Sequence, residues 1–441
     1  MSVQQLLFIL ILALAFVLIR RRAIQISRNI RLGKGSFPKD HGKDRMRNVL
    51  LIAFGQKKMF KRPAPAILHF FVYAGFLVIN IEVLEFVIDG VSGSHRIFAP
   101  YLAGAYPVLM NIFEFLAVSV LVACSAFLVR RNIMKVRRFW SAEMKAWPRL
   151  DANLILITEI LLMIAILTMN AADQVLQARI PDQYPPTGPL LFSRFLVPGF
   201  SGLADPALML TERFAWWFHI AGILGFAVYI TYSKHLHIFL AFPNTFYASL
   251  KPKGQMSAME VVTTEVRSML GLPVDTLANP PEPGRFGAKD VNDLSRVSLL
   301  AAFACTECGR CTAECPANIT GKALSPRKIM MDTRDRMEEV GKSMANGGAG
   351  LNDGKSLFGD YITREEVNAC TSCNACVEAC PVMINPLEII LEIRRYIAME
   401  ESGSPPSWNM MFQNIENNFA PWKFSPADRF NWAKENNELK T

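Results

Sequence analysis

Cys305-Thr-Glu-Cys308-Gly-Arg-Cys311-Thr-Ala-Glu-Cys315-Pro316 and Cys370-Thr-Ser-Cys373-Asn-Ala-Cys376-Val-Glu-Ala-Cys380-Pro381 hold eight of the nine cysteines of this 441-residue chain. Each run reads C-x2-C-x2-C-x3-C-P, and the second follows the first by 65 residues. Three thiolates on one tight turn can reach three corners of a [4Fe–4S] cubane, while the fourth, at the start of a helix, points to the other cluster. The spacing therefore assigns Cys305, Cys308, Cys311 and Cys380 to one cluster, and Cys370, Cys373, Cys376 and Cys315 to a second. Structural zinc also uses paired C-x2-C, but rarely with a third cysteine at x2 and a proline after the fourth, twice over.

Outside this region the chain is apolar. It is 51% hydrophobic and 19% charged, with a positive mean hydropathy, a composition that points to a membrane protein and excludes a disordered chain, a collagen-like repeat or a disulfide-stapled secreted domain. Five apolar stretches, at about 3–19, 65–88, 106–129, 152–172 and 213–236, are long enough to cross ~30 Å of hydrocarbon as helices. The first is an uncleaved anchor: no positive charge precedes it, and Arg20, Arg21 and Arg22 follow at once. Lys and Arg number 14 in residues 20–62 and 7 in 130–149, against 1 in 89–105 and 2 in 173–212. The positive-inside rule then puts the N-terminus outside and the C-terminal 200 residues in the cytoplasm. That topology accounts for most of the formal charge of +9 and leaves a nucleic-acid partner without support. A reducing compartment also argues against disulfides.

His69 lies at the inner end of the second stretch, and His219 and His237 lie near the outer and inner ends of the fifth. On one continuous helix the 18-residue step between the last two is five whole turns, which sets them on one face about 27 Å apart. His235 falls about 160° away. Neutral imidazole ligates haem iron, and bis-histidine sites between membrane helices hold b-type haem. His69 with His237 is the expected inner pair. An outer haem on His219 has His95 as its candidate second ligand. Glu82, Glu85, Glu114 and Glu159 fall inside the stretches, where an ionisable group is costly and usually functional; they read either as a proton route or quinone-site lining, or as paired interfacial carboxylates. Cys124, within the third stretch, reads as a small buried apolar residue.

The expected architecture is all-α: a five-helix transmembrane bundle (1–242), a linker (243–290) marked by Pro280-Pro281-Glu282-Pro283-Gly284, a cytoplasmic helical dicluster ferredoxin domain (291–400) and an aromatic C-terminal tail (401–441). Helices are expected to start at Ser325-Pro326 and at Pro386, with a Gly-rich loop at 346–354 between the cysteine runs. That loop lies between helices and lacks a phosphate-binding Lys pattern, and no G-x-G-x-x-G follows a strand, so no nucleotide or flavin site is expected. Trp408, Phe412, Phe419, Trp422, Phe424, Phe430 and Trp432 crowd the tail, and aromatics at that density call for burial, against a partner, the dicluster region or the membrane.

Five spans with an outside N-terminus, a histidine in the second, and a fifth ending Tyr232-Ser-Lys-His-Leu-His237-Ile-Phe resemble the gamma-subunit, a cytochrome b, of respiratory nitrate reductase. In that family the fifth helix holds ligands to two haems, and the second helix carries two ligands where this chain has His69 alone. The phrases Cys305-Thr-Glu-Cys-Gly-Arg-Cys, Cys315-Pro-Ala, Leu324-Ser-Pro-Arg-Lys, Cys370-Thr-Ser-Cys and Asn417-Asn-Phe-Ala-Pro-Trp422 with Arg429 and Trp432 resemble the dicluster subunit of heterodisulfide reductase and its bacterial relatives. The two resemblances imply an electron-transfer subunit of a membrane quinone oxidoreductase in a bacterial cytoplasmic membrane, joining two [4Fe–4S] clusters and one or two b-type haems to a menaquinone or ubiquinone pool. Relatives that are single long chains carry a Cys-Cys-Gly domain after the dicluster region. No cysteine follows Cys380 here, so a separate cytoplasmic redox subunit with those motifs, or an electron-transfer flavoprotein, is the implied partner. The residues alone leave open a redox-coupled ion-translocating subunit and a membrane-tethered iron–sulfur sensor.

Overall fold

The computed structural model describes residues 2–252, 254–274 and 284–436, apart from the side chains of residues 426, 429 and 435. Pro280–Pro283 of the linker motif and the Arg429 side chain lie outside the described residues. The fold is all-α: among the described residues the only β features are two isolated bridges, Lys34 with Ser295 and Phe358 with Ile362.

Five helices are long and apolar enough to cross a membrane. They are α1 (Val3–Ile30), α2 (Pro63–Ser92), α3 (Tyr106–Leu128), α4 (Trp147–Arg179) and α5 (Asp205–Ile230). Ser2 starts α1 with a capping box, its hydroxyl accepting from the Gln5 amide while the Gln5 side chain reaches back. Leu6, Leu10 and Leu14 recur every four residues on α1 and stay exposed, a stripe suited to lipid. Phe8 instead turns inward and packs on Phe86, Trp216 and Ile220.

The helices α1, α2 and α4 run past the apolar stretches that mark them, because polar residues beyond the hydrocarbon still find helical partners. Arg22 shows this on α1. Its guanidinium donates to the Thr231 carbonyl and grips both Glu338 carboxylate oxygens, at 2.6 and 2.9 Å. The C-terminal end of α1 therefore packs on the cysteine-bearing region, and Asn29 fills the space above Gly341, where a Cβ would collide with it.

The fifth span is shorter than its hydropathy suggests. The stretch 213–236 reads as continuous helix, yet α5 stops at Ile230, a 3-10 turn covers Lys234–Leu236, and α6 (His237–Tyr247) begins a new helix that crosses the expected boundary at 242. Asp151 of α4 makes the break: its carboxylate accepts from the Tyr229 hydroxyl, the Ser233 hydroxyl at 2.7 Å and the Lys234 amide at 3.2 Å. Those bonds satisfy backbone and side-chain donors that a continued helix would have left to itself.

After the linker, α7 (Arg296–Phe303), α8 (Pro326–Ala345) and α9 (Pro386–Met399) build one core around Leu299, Ile329, Val340, Ile389 and Ile393. Ser325 caps α8 by accepting from the Lys328 amide, and Asn385 caps α9 by accepting from the Glu388 amide. Both helices start where the turn chemistry places them. The tail forms α10 (Pro406–Asn418). Its aromatics do not fold back: all seven are exposed, from Trp408 at 42% to Phe419 at 73%.

Candidate functional site

The two cysteine runs repeat in backbone as well as in sequence. Glu307 and Ser372, 65 residues apart, have φ of 54° and 56°, and Gly309 and Asn374, also 65 apart, have 69° and 61°. Each run thus takes two left-handed kinks at matching positions, then opens a short helix, Arg310–Ala313 in one and Ala375–Ala379 in the other. Left-handed backbone favours Gly and Asn, which explains the residues at 309 and 374.

The electrostatic neighbours of each thiol sort the eight into two sets. Cys305 feels Cys308 and Cys380, and Cys311 feels Cys308, Cys305 and Cys380. Cys376 feels Cys370, Cys315 and Cys373. Cys311 also senses Cys376 across the gap between the sets. Burial pushes the Cys305 and Cys376 thiols up to about 12 and Cys380 to about 11, while amides already point at sulfur: Ile384 donates to Cys380 at 3.3 Å and Ser372 to Cys370 at 3.4 Å. Such bonds stabilise thiolate once a metal has displaced the proton. Among the described residues no three His, Cys, Asp or Glu side chains close on a single-ion site.

Arginines brace both runs. The Arg394 guanidinium donates to the Val367 and Asn368 carbonyls and to the Ser372 hydroxyl at 3.3 Å, and also meets the Cys370 carbonyl. Arg327, fully buried, donates to the Glu307 carbonyl and to Glu143. The segment that precedes α2 runs between the runs: Lys58 donates to the Val377 carbonyl, and Arg310 donates to the Lys58 and Met59 carbonyls. This brings the start of α2, with His69, alongside Cys308.

A cavity of ≈ 380 Å³ opens there, lined by His69, His235 and His237 and reaching Cys308 and Pro381 at one end and Val83, Leu162 and Ile223 at the other. The volume is in the range of ligand pockets. The His69 and His237 ring centres are 6.4 Å apart, close to the ~6 Å that two imidazoles bound through ~2 Å bonds to one iron would need. His69 Nδ1 donates to Gln56 Oε1 and His237 Nδ1 to the Lys234 carbonyl, each at 3.2 Å. Each Nε2 is thereby left with its lone pair, the tautomer a metal ligand takes. Burial lowers the His237 pKa and keeps that ring neutral. These residues fit a haem.

The remaining histidines depart from the helical phase expected of them. Because the helix breaks at Thr231, His235 is not on the opposite face from His237; their rings lie 5.4 Å apart and line the same cavity. His219 Nδ1 donates to the Leu162 carbonyl at 2.9 Å, and its Nε2 is buried without a partner. His95 is not brought to it. The His95 ring nitrogens meet Asp173 at 3.2 Å and Arg213 at 3.5 Å, and Asp173 and Leu162 are eleven residues apart on α4, about 16 Å. No local pattern links His95 to Asp173, which lies 78 residues further along the chain.

The glutamates separate by partner. Glu85 accepts from the Tyr106 hydroxyl at 3.0 Å and the Phe98 amide at 2.9 Å, and Glu114 from the Phe192 and Ser193 amides, so both tie down loops between the long helices. Glu82 is buried with Oε1 unpartnered, Glu159 lines the cavity, and Cys124 is buried in the apolar bundle core. Sequence reasoning missed Lys234 and Glu307. Lys234 Nζ donates to Glu307 Oε2 at 2.5 Å, and Glu307 also pairs with Arg334 at 2.8 Å.

Residues 304–384 match the 4Fe-4S dicluster domain family. The chain is 27% identical over 439 residues to the probable iron-sulfur-binding oxidoreductase FadF of Bacillus subtilis, covering 92% of this chain and 57% of that one. It is 26% identical over 434 residues to the EtfAB:quinone oxidoreductase of Syntrophomonas wolfei, covering 92% and 56%. Over 147 residues, 33% of this chain and 36% of the relative, it is 26% identical to a subunit of the dihydromethanophenazine:CoB--CoM heterodisulfide reductase of Methanosarcina mazei. The chain thus spans little more than half the length of the two curated relatives that cover most of it. No solved structure matches it. The chain carries a dicluster [4Fe–4S] electron-transfer domain on an all-α fold with five membrane-length helices, and is similar over most of its length to iron–sulfur oxidoreductases.

Proposed function

We propose that the chain is the electron-transfer subunit of a membrane quinone-linked oxidoreductase, connecting a cytoplasmic redox partner to the quinone pool. The observation that carries this reading is the cavity shared by His69, His235, His237 and Cys308, because it sets a candidate haem pocket against a candidate cluster ligand. Two [4Fe–4S] clusters and a b-type haem would each take up and release one electron at a time. Cys305, Cys308, Cys311 and Cys380 hold the first cluster and Cys370, Cys373, Cys376 and Cys315 the second; His69 and His237 hold the haem. The Lys234–Glu307 pair fixes the histidine segment to the first cysteine loop, and Arg327 and Arg394 keep the loops rigid, which limits reorganisation when charge arrives.

The cysteine-bearing half faces the cytoplasm in this reading, on the strength of the Lys and Arg excess in the inner connections. One long relative is named for EtfAB and quinone, which supports an electron-transfer flavoprotein as donor and quinone as acceptor. A cytoplasmic subunit bearing Cys-Cys-Gly motifs is the companion we assign, and the exposed aromatics after α9 give it a surface. The test is quinol-dependent reduction of a b-type haem band in the purified membrane complex. A haem that quinol reduces supports the reading; a chain with full clusters and no haem removes it.

A further inference from the structure

Two arginines on the inner rim of the histidine cavity carry N–H groups that nothing in the protein satisfies. Arg131 Nε and Nη2 and Arg138 Nε are buried without a hydrogen-bond partner. Both side chains line the cavity that holds His69 and His237, and both sit against the same ring, their guanidinium carbons 4.6 and 4.9 Å from the Phe139 centre. A guanidinium does not shed its charge, and a buried cation left unpaired is costly.

The acids within electrostatic reach of Arg131 are already engaged. Glu307 is held by Lys234 and Arg334, and Asp151 is held by Tyr229, Ser233 and the Lys234 amide. Burial, with like charge from Arg62, Arg310 and Arg130, lowers Arg138 to about 10. Away from the arginines the lining is mainly apolar, with Val83, Leu162, Met163 and Ile223, although Asn80 and Glu159 also belong to it. The cavity therefore asks for a molecule with an apolar body and an acidic edge.

We propose that Arg131 and Arg138 form a carboxylate seat that pairs with the two propionates of the haem. This rests on the haem reading above. Guanidinium–carboxylate pairs are bidentate and charge-assisted, so the seat fixes which edge of the porphyrin faces the cytoplasm and which enters the apolar end.

The test uses the full chain in detergent, purified without haem from haem-deficient cells and titrated with iron protoporphyrin IX or with its dimethyl ester, in which both propionates are capped. The readout is the low-spin haem spectrum, independent of turnover. The wild-type chain is expected to bind the free acid at least tenfold more tightly than the ester, R131Q/R138Q to bind the two alike, and R131K/R138K to retain part of the preference. Equal binding of acid and ester by the wild type overturns the seat without requiring any variant to fold, as does an undiminished preference in R131Q/R138Q with its cluster iron and sulfide intact. Binding of neither porphyrin by the wild type overturns the haem reading itself, and the seat with it.

Discussion

Lys234 Nζ lies 2.5 Å from Glu307 Oε2, with the two side chains 8% and 2% exposed. One residue lies three positions before His237, the other between Cys305 and Cys308. Glu307 has a second cation in Arg334, whereas Lys234 has besides Glu307 the Pro148 carbonyl and, at 3.9 Å, the Asp151 carboxylate. Removing one partner of a buried pair costs about 3–5 kcal/mol. Glu307→Gln, which strands two cations, is therefore expected to lower the thermal midpoint for loss of cluster absorbance more than Lys234→Met, which leaves Glu307 with Arg334. Equal melting of both variants and the wild type would show that the junction is not held here.

The proposed interleaving makes the cysteines separable. Cys315→Ser should abolish the centre held by Cys370, Cys373 and Cys376, and spare the one held by its own sequence neighbours. Electron paramagnetic resonance of the reduced chain distinguishes the two. Retention of the second centre with loss of the first would reverse the assignment.

His69→Ala and His237→Ala should each remove the low-spin haem while leaving cluster iron and sulfide unchanged, since no cluster cysteine is altered. His235→Ala should keep haem with a shifted spectrum, because its ring contacts His237. A His235 variant that lost haem beside a His237 variant that kept it would exchange their roles.

Deleting residues 405–441 removes all seven exposed aromatics of the tail but none of the α7–α9 core. If the proposed function holds, the truncated chain should keep both clusters and lose the proposed cytoplasmic companion on mild-detergent affinity purification. Undiminished recovery of the companion would place its docking surface elsewhere.

The parts of the site that could be read from sequence are those whose chemistry is local. The C-x2-C-x2-C-x3-C-P spacing carries its own geometry, and Ser325 and Asn385 announce the helices they cap. Helical phase across Thr231 was not legible, because the break is imposed by Asp151, about 80 residues earlier on another span. His95 misleads for the same reason: its partners, Asp173 and Arg213, are brought to it only by the packing of α4 and α5. Buried charge pairs such as Lys234 with Glu307 leave no periodic trace, since each is a single residue set by a contact distant in sequence.

The most direct test of the central claim is a redox titration of the purified full chain, followed optically and by electron paramagnetic resonance, with iron and acid-labile sulfide measured on the same sample. The account expects two [4Fe–4S] signals, one bis-histidine b-type haem, and iron to sulfide of about nine to eight. Two clusters with no haem band, in a chain whose His69 and His237 are intact, would contradict it.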